Sequence, residues 1–399
     1  MSRITESPEF TREEVLQAQR CHSMHMEGIC YPTTPIGMHF LLIHYDVPFV
    51  DPETYELSVE GLVREPLTLT LEDIKARPSV SEPVMMECSG TGRSHASQRT
   101  VFVPWFDAAI GCAEWTGTPL GPILEEAGLH DEALEILFTG HDRGIEEGVE
   151  QNYERSLSLE EALSDGVMLA YEINGQPLPP QHGAPLRLIV PEWYGMASVK
   201  WLKRIKAIGE PFDGFQQGNK YRYKQSEDEK GTPVTRQRPR AIMRPPGIPS
   251  QLGRSRYVKA GPVSIEGRAW SGFGLVERVE FSTNGGRTWG DAVLGEPVGR
   301  YGWRAWSYEW DAWEPGEYEL CTRATDAAGN TQPLDASEVW NVGTYGINTV
   351  QRVPVFVLKH EQIEEQERGL INKVKDKLTE MTAPTSDESN PSRSDATKS

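Results

Sequence analysis

The hydrophobic pattern divides the chain into two regimes. Before about residue 240, apolar runs of strand length are mixed with brief amphipathic pieces. Met38-His39-Phe40-Leu41-Leu42-Ile43-His44-Tyr45-Asp46-Val47-Pro48 reads as a short apolar strand ending in polar groups. Residues 55–61 alternate with period two, the mark of a half-buried strand. Pro83-Val84-Met85-Met86 reads as the end of a buried strand. Residues 134–142 form another, which delivers His141 and Asp142 to a loop. Residues 167–171 and 186–190 are buried strands on either side of a rigid turn at 179–185. Helical signals are short. Thr11-Arg12-Glu13-Glu14 caps a helix running through Arg20, and residues 69–74 begin one that Pro78 stops. Residues 119–128 form a third, closed by Gly128. Without a βαβ rhythm a doubly wound sheet is disfavoured and an α+β domain is expected.

Beyond that point the period changes. Residues 218–249 are polar and rich in Pro and Arg, as in a linker or extended connection. Residues 263–270 and 276–282 alternate strictly, and Asn284-Gly285-Gly286 is a hairpin turn requiring positive φ. Residues 318–324 add a strand before the turn at 326–330. These short, evenly spaced strands predict an immunoglobulin-like β-sandwich. The expected organisation is an N-terminal extension (1–35), an α+β domain (36–240), the sandwich (241–358) and a charged tail (359–399). In the tail Ile363, Leu370, Ile371, Val374 and Leu378 form a helical stripe, and 382–399 has a disordered composition.

Length and charge sharpen this picture. A chain of 399 residues exceeds one compact core. With 59 acidic against 40 basic side chains its formal net charge is −19. Such a surface repels nucleic-acid phosphates and anionic lipid, so neither is an expected partner. An anionic small substrate in a locally basic pocket stays allowed. No apolar run approaches the roughly 20 residues that span a bilayer, and the first residues lack a signal-peptide pattern. The expected location is cytoplasmic, or periplasmic if an export signal was removed. Five cysteines at irregular spacing suggest no disulfide framework.

The chemistry centres on Glu87-Cys88-Ser89-Gly90-Thr91-Gly92-Arg93. A cysteine stands where a strand meets a glycine turn, with Arg93, Ser94 and His95 just beyond, surroundings that favour the thiolate. It could act as a nucleophile, a redox thiol or a metal ligand. A Cys88–His95 pair lacks a third orienting residue. The segment from Cys21 to Cys30 invites zinc but has the spacing of no finger or ribbon, and Cys112 and Cys321 read as plain core. One thiolate does suffice if the metal arrives in an organic cofactor bringing its own sulfurs. His182, Arg187, Ser198 and Lys200 could anchor such a cofactor through phosphate and ring. Arg187, inside an apolar strand, needs an anionic partner, either a protein carboxylate or a bound anion.

These segments, in this order, resemble the sulfite oxidase family of molybdenum enzymes along nearly all of residues 35–358. The Cys88 stretch is similar to the family's Cys-Ala-Gly-Asn segment, whose cysteine ligates molybdenum, with Thr91 in place of the asparagine. Residues 169–179 with 182–187 resemble its pterin-binding segment. Ser198-Val199-Lys200-Trp201-Leu202 resembles its His-Val-Lys-Trp-Leu, and Asp142 falls at its loop aspartate. Ala269-Trp270-Ser271-Gly272 and residues 284–289 resemble its dimerisation domain. The resemblance implies molybdenum-molybdopterin with Cys88 as protein ligand, and a pterin held by Phe40, His44, Asp142, His182, Arg187, Ser198 and Lys200. It implies an active-site tyrosine at Tyr221, with Tyr223 as competitor, and Arg304 reaching into the substrate pocket from the sandwich. The implied function is oxygen-atom transfer to sulfite or a related small sulfur anion in a haem-free homodimer. Electrons would pass to an external acceptor, a c-type cytochrome being one candidate. Alternatives are a sulfoxide or N-oxide reductase, and a non-catalytic sandwich assembly module. One departure stands out: Leu42 or Ile43 occupies the place of a family arginine that helps bind sulfite. Losing one such charge-assisted contact removes about 1.5–3 kcal/mol of binding.

Overall fold

Capping boxes start the first two helices, as the side-chain pattern requires. Thr11 accepts from the Glu14 amide and Glu14 returns to the Thr11 amide at Arg12–Ala18; Thr70 and Asp73 do the same at Leu71–Lys75. Leu120–Ala127 ends on Gly128 at φ 68°, a left-handed position open to glycine. The computed structural model describes residues 4–5, 10–251 and 253–359, with further positions between 362 and 376. Those further positions are helical; most of the apolar stripe and all of 382–399 lie outside the described residues.

The first domain holds two five-stranded sheets. In one, Gln176–Pro177, Met168–Ile173, Ile110–Pro119 and Val80–Glu87 lie in that order, with Arg187–Ile189 pairing Met168–Ile173. In the other the order is Leu67–Thr70, Glu56–Gly61, Leu202–Ile208, Glu135–Glu146, Val149–Ser158. The one parallel pairing within these sheets joins Leu202–Ile208 to Glu56–Gly61. The second domain packs the four-stranded sheet containing Arg240–Met243, Gly261–Trp270 and Arg304–Ala312 against a six-stranded sheet containing Val276–Ser282, Gly316–Asp326 and Gln351–Leu358. Phe281, Trp306, Trp310 and Leu320 fill the space between. Among the described residues no helix is long and apolar enough to cross a membrane.

Three expectations are corrected. Residues 39–48 form no strand: they make the isolated His22–Leu41 bridge, and the Phe40 amide donates to the Ile110 carbonyl (3.2 Å). Their polar backbone is satisfied by side chains: Lys200 Nζ donates to the Leu42 carbonyl (2.8 Å) and Arg20 Nη1 to that of Tyr45 (3.0 Å). Asp142 and His141 lie within Glu135–Glu146, not in a loop after it. Register shifts between Thr139 and Arg143 there, and such an irregularity re-aims side chains while the strand continues. The 218–249 connection is also more structured than a linker: it contains a π-helical turn ending at Asn219, three two-residue strands and the sandwich strand that starts at Arg240.

The domains share a buried ionic junction beside Cys88. Arg240, with 1% of its side chain exposed, donates from Nε to Glu87 Oε1 (2.9 Å) and from Nη2 to the Ile347 carbonyl (2.7 Å). Trp270 Nε1 donates to the other Glu87 oxygen (2.8 Å). Removing one partner of such a pair strands the other charge in an apolar interior. Arg240→Met should therefore cost about 3–5 kcal/mol in urea unfolding, and adding Glu87→Gln should recover a large part of it. A loss below about 1 kcal/mol, the range of an exposed pair, would contradict this reading of the junction.

Candidate active site

Residues alternate sides along Val80–Glu87. Met86 faces the interior of the first domain and Met85 the cleft toward the sandwich. Cys88 follows directly and is buried, 8% exposed. The turn after it depends on Gly92 at φ 86°, where a Cβ would meet the Ile347 carbonyl oxygen. Two cavities meet at this turn, with volumes of about 60 and 210 Å³, and Leu42, His44, Cys88, Ser89 and Tyr221 line both.

The first cavity gathers all the cofactor residues expected from sequence: Phe40, His44, Asp142, His182, Arg187, Ser198 and Lys200. Gly183, at φ 108° beside the turn Pro180–His182, lets Arg187 and Lys200 approach, since a Cβ there would lie 3.1 and 3.0 Å from theirs. Arg187 lies over the Trp115 ring, 4.8 Å from its centroid, and donates to the carbonyls of His182 (2.8 Å) and Ser198 (3.0 Å). Ser198 Oγ accepts from the Val190 amide (3.1 Å).

This cavity concentrates cations with little to balance them. Asp142 is the one carboxylate among its lining residues. Burial pushes Lys200 down to about 7, helped by Arg187, and Arg187 down to about 9. It likewise pushes Asp142 up to about 6 against the pull of Lys200. Burial foremost drives His39 down to about 4 and His44 to about 3, so both rings are neutral. Three buried polar atoms here have no partner: Arg187 Nε, Asp142 Oδ1 and His39 Nε2. Orphaned donors and acceptors around under-neutralised cations suit an anionic ligand with a polar heteroaromatic ring, as a pterin phosphate is. The residues present fit that group.

Cys88 itself corrects an expectation. Burial raises its thiol to about 11, and Arg93 offsets this only in part. In apolar walls the protein alone holds a thiol, not an activated thiolate. His95 gives no help: its Nε2 pairs with Asp107 Oδ1 (3.0 Å), whose charge raises the His95 pKa, and it lines neither cavity. Cys21, half-buried, lines the second cavity, whereas Cys30 is exposed and does not.

Of the two candidate tyrosines, Tyr221 is the one that lines the cavities. Its backbone is left-handed (φ 36°), its Oη lies 2.6 Å from His44 Nε2, and it lines both cavities. Such strain in a non-glycine residue persists only where surroundings enforce it. Tyr223 instead packs under Arg238, 4.4 Å from its ring centroid. Arg304 is not brought to the site. Its guanidinium donates to the carbonyls of Gly295 (2.6 Å) and Val276 (3.0 Å), in the cleft on the Met85 side of the strand.

The sandwich contributes Tyr345 instead. Residues 341–350 cross back over the Cys88 turn, with the Gly346 amide donating to the Ser89 carbonyl (2.7 Å). Tyr345 then packs on Tyr221 at 5.1 Å and lines the second cavity. Arg93 lines that cavity too, 4% exposed, with Nε on Thr344 Oγ1 (3.0 Å) and Nη1 on the Val103 carbonyl (2.9 Å). Its Nη2 has no hydrogen-bond partner among the described residues. Arg93 was readable as a cation five residues after Cys88; Tyr345 carried no local signal.

Comparison with known proteins identifies both domains. A family model described as the oxidoreductase molybdopterin binding domain matches residues 44–216, and one described as the Mo-co oxidoreductase dimerisation domain matches residues 249–357. The chain is 33% identical over 352 residues to the mitochondrial sulfite oxidase of Drosophila melanogaster, covering 82% of this chain and 59% of that one. It is 32% identical over 333 residues to the sulfite oxidase of Arabidopsis thaliana, covering 77% and 84%. The crystal structure of the sulfane dehydrogenase SoxCD from Paracoccus pantotrophus is similar at a TM-score of 0.70 and 26% identity, covering 90% of this chain and 87% of that one. The chain spans about three fifths of the length of the mitochondrial sulfite oxidases it matches. By both domain matches and this identity, the chain belongs to the sulfite oxidase family of molybdopterin-dependent oxidoreductases.

Proposed function

We propose that the protein is a molybdenum-dependent oxidoreductase that adds an oxygen atom to sulfite or a related small sulfur compound and passes the electrons to a separate acceptor. The observation that carries this reading is the position of Cys88, in the shared wall between a cation-lined cavity and one that opens onto Arg93. The molybdenum cofactor, when bound, supplies two-electron oxygen-atom transfer at a sulfur-rich metal site. The chain's own residues do the rest. Cys88 gives up its proton to become the protein's thiolate ligand, a loss that a metal cation makes favourable despite burial. Arg187 and Lys200 hold the phosphate, while Asp142, His39 and His182 present polar atoms to the pterin. Arg93 holds the substrate anion. Burial keeps His44 neutral and raises Tyr221 well above 10, so the pair shares a proton between Nε2 and Oη without carrying charge. As a homodimer, the protein would associate through the sandwich.

Metal and pterin analysis of protein from a cofactor-competent host should find both bound. Cys88→Ser should keep the wild-type circular dichroism spectrum and lose at least ~100-fold in sulfite-dependent dye reduction, beyond the 10–100-fold typical of outer-shell changes. Unchanged turnover in that variant would sink the assignment.

Lys200 yields a test that needs no turnover. Its folded pKa, about 7, lies below an unfolded value of about 10.4. The folded cofactor-free protein therefore carries the full penalty of a buried ammonium below about pH 7, and the penalty fades as pH rises toward 10. Cofactor-free wild type should gain melting temperature relative to Lys200→Met across that window, and the variant should purify with less pterin. Parallel melting curves with normal pterin content would contradict the phosphate role.

A further inference from the structure

We infer that the substrate of the Cys88 site is a singly charged organic sulfinate whose apolar substituent sits against Phe102, Val103 and Trp105. This rests on the oxygen-transfer reading above and adds the substrate class. The first observation is a count of charge on the Arg93 side of Cys88. Three cations line that cavity: Arg20, Arg93 and Lys220. Lys220 is already engaged, 2.6 Å from Glu147 and 3.7 Å from Glu146, and Glu146 itself forms part of the wall. Arg20 is exposed, at the mouth, and bonded to the Tyr45 carbonyl. What remains at depth is Arg93, buried, with Nη2 unpartnered.

The second observation is what stands where further cations would be needed. Leu42 and Ile43 occupy one wall, and Arg304 is held in the other cleft. A dianion in this cavity would meet a single buried guanidinium and leave one charge desolvated without compensation. A monoanion is matched one to one. The third observation is shape. Phe102 and Tyr345 flank the Arg93 guanidinium, 5.4 and 5.7 Å from it, and Val103 and Trp105 continue the apolar wall. A cavity volume of about 210 Å³ leaves room beyond a four-atom inorganic oxyanion. A ligand with an anionic head on Arg93 and an apolar body on these rings uses both features.

The reaction balances. The sulfinate sulfur has a lone pair; it gains one oxygen, derived from water, and becomes a sulfonate. Two protons leave to solvent, and two electrons leave singly to an external one-electron acceptor.

The test uses cofactor-loaded protein, ferricyanide as acceptor, and benzenesulfinate against sulfite at about pH 8, where sulfite is mostly dianionic. We expect kcat/KM for benzenesulfinate to exceed that for sulfite at least tenfold, with benzenesulfonate identified by mass spectrometry. Calorimetry should place benzenesulfonate ahead of sulfate by a similar factor, a readout independent of turnover. Leu42→Arg, which adds a cation to the apolar wall, should move both ratios at least tenfold toward the inorganic dianion. Phe102→Ala should narrow both, and serves as the second variant if Leu42→Arg fails to fold. Sulfite preferred in turnover and sulfate in binding would overturn the sulfinate assignment and leave the oxygen-transfer reading intact. Reduction of ferricyanide by neither compound would overturn both.

Discussion

A single buried guanidinium holds the reactive region together. Arg240 begins the sandwich yet ends on Glu87, Asp107 and the carbonyls of Thr91 and Ile347. Those partners are the residue before Cys88, the turn after it, the strand-side loop beneath it and the segment that crosses above. A planar fork of fixed donors suits this task better than a flexible ammonium. Consequently Cys88 is positioned by both domains, and so is its environment: the same crossing segment that accepts from Arg240 delivers Tyr345 to the pocket and Thr344 to Arg93.

The two cavities differ in how they treat charge. In the first cavity, Arg187 and Lys200 are buried with Asp142 as the one lining carboxylate, and desolvation depresses the pKa of both. Such a site is organised for an anion it does not itself contain, and it is costly without one. In the second cavity, Lys220 is paired with Glu146 and Glu147, and Arg93 is a buried guanidinium whose Nη2 has no hydrogen-bond partner among the described residues. Cys88 sits where these regimes meet. Burial raises its thiol pKa by more than the Gly90 backbone and nearby Arg93 lower it.

Much of this was legible wherever one-sided burial imposes a period. The 276–282 strand, the capping boxes at Thr11 and Thr70, and the Gly128 stop needed only local rules, and the structure has them where the pattern puts them. Phe40 through His44 misled because apolar residues lining a cavity look like residues lining a sheet. Asp142 misled because a register shift inside a strand leaves no mark in composition. Arg304 and Tyr345 exchange roles for a reason no window of sequence contains: which face of the Met85–Met86 strand each approaches is a tertiary fact. The expectation of a Cys88 thiolate counted the cation nearby but not the desolvation around it.

The central claim is that Cys88 is the protein's ligand to molybdenum. X-ray absorption at the molybdenum edge tests it most directly, by comparing wild type with Cys88→Ser loaded with the same cofactor. The account predicts one more sulfur neighbour around the metal in the wild type than in the variant. An equal sulfur count in the two proteins would contradict it.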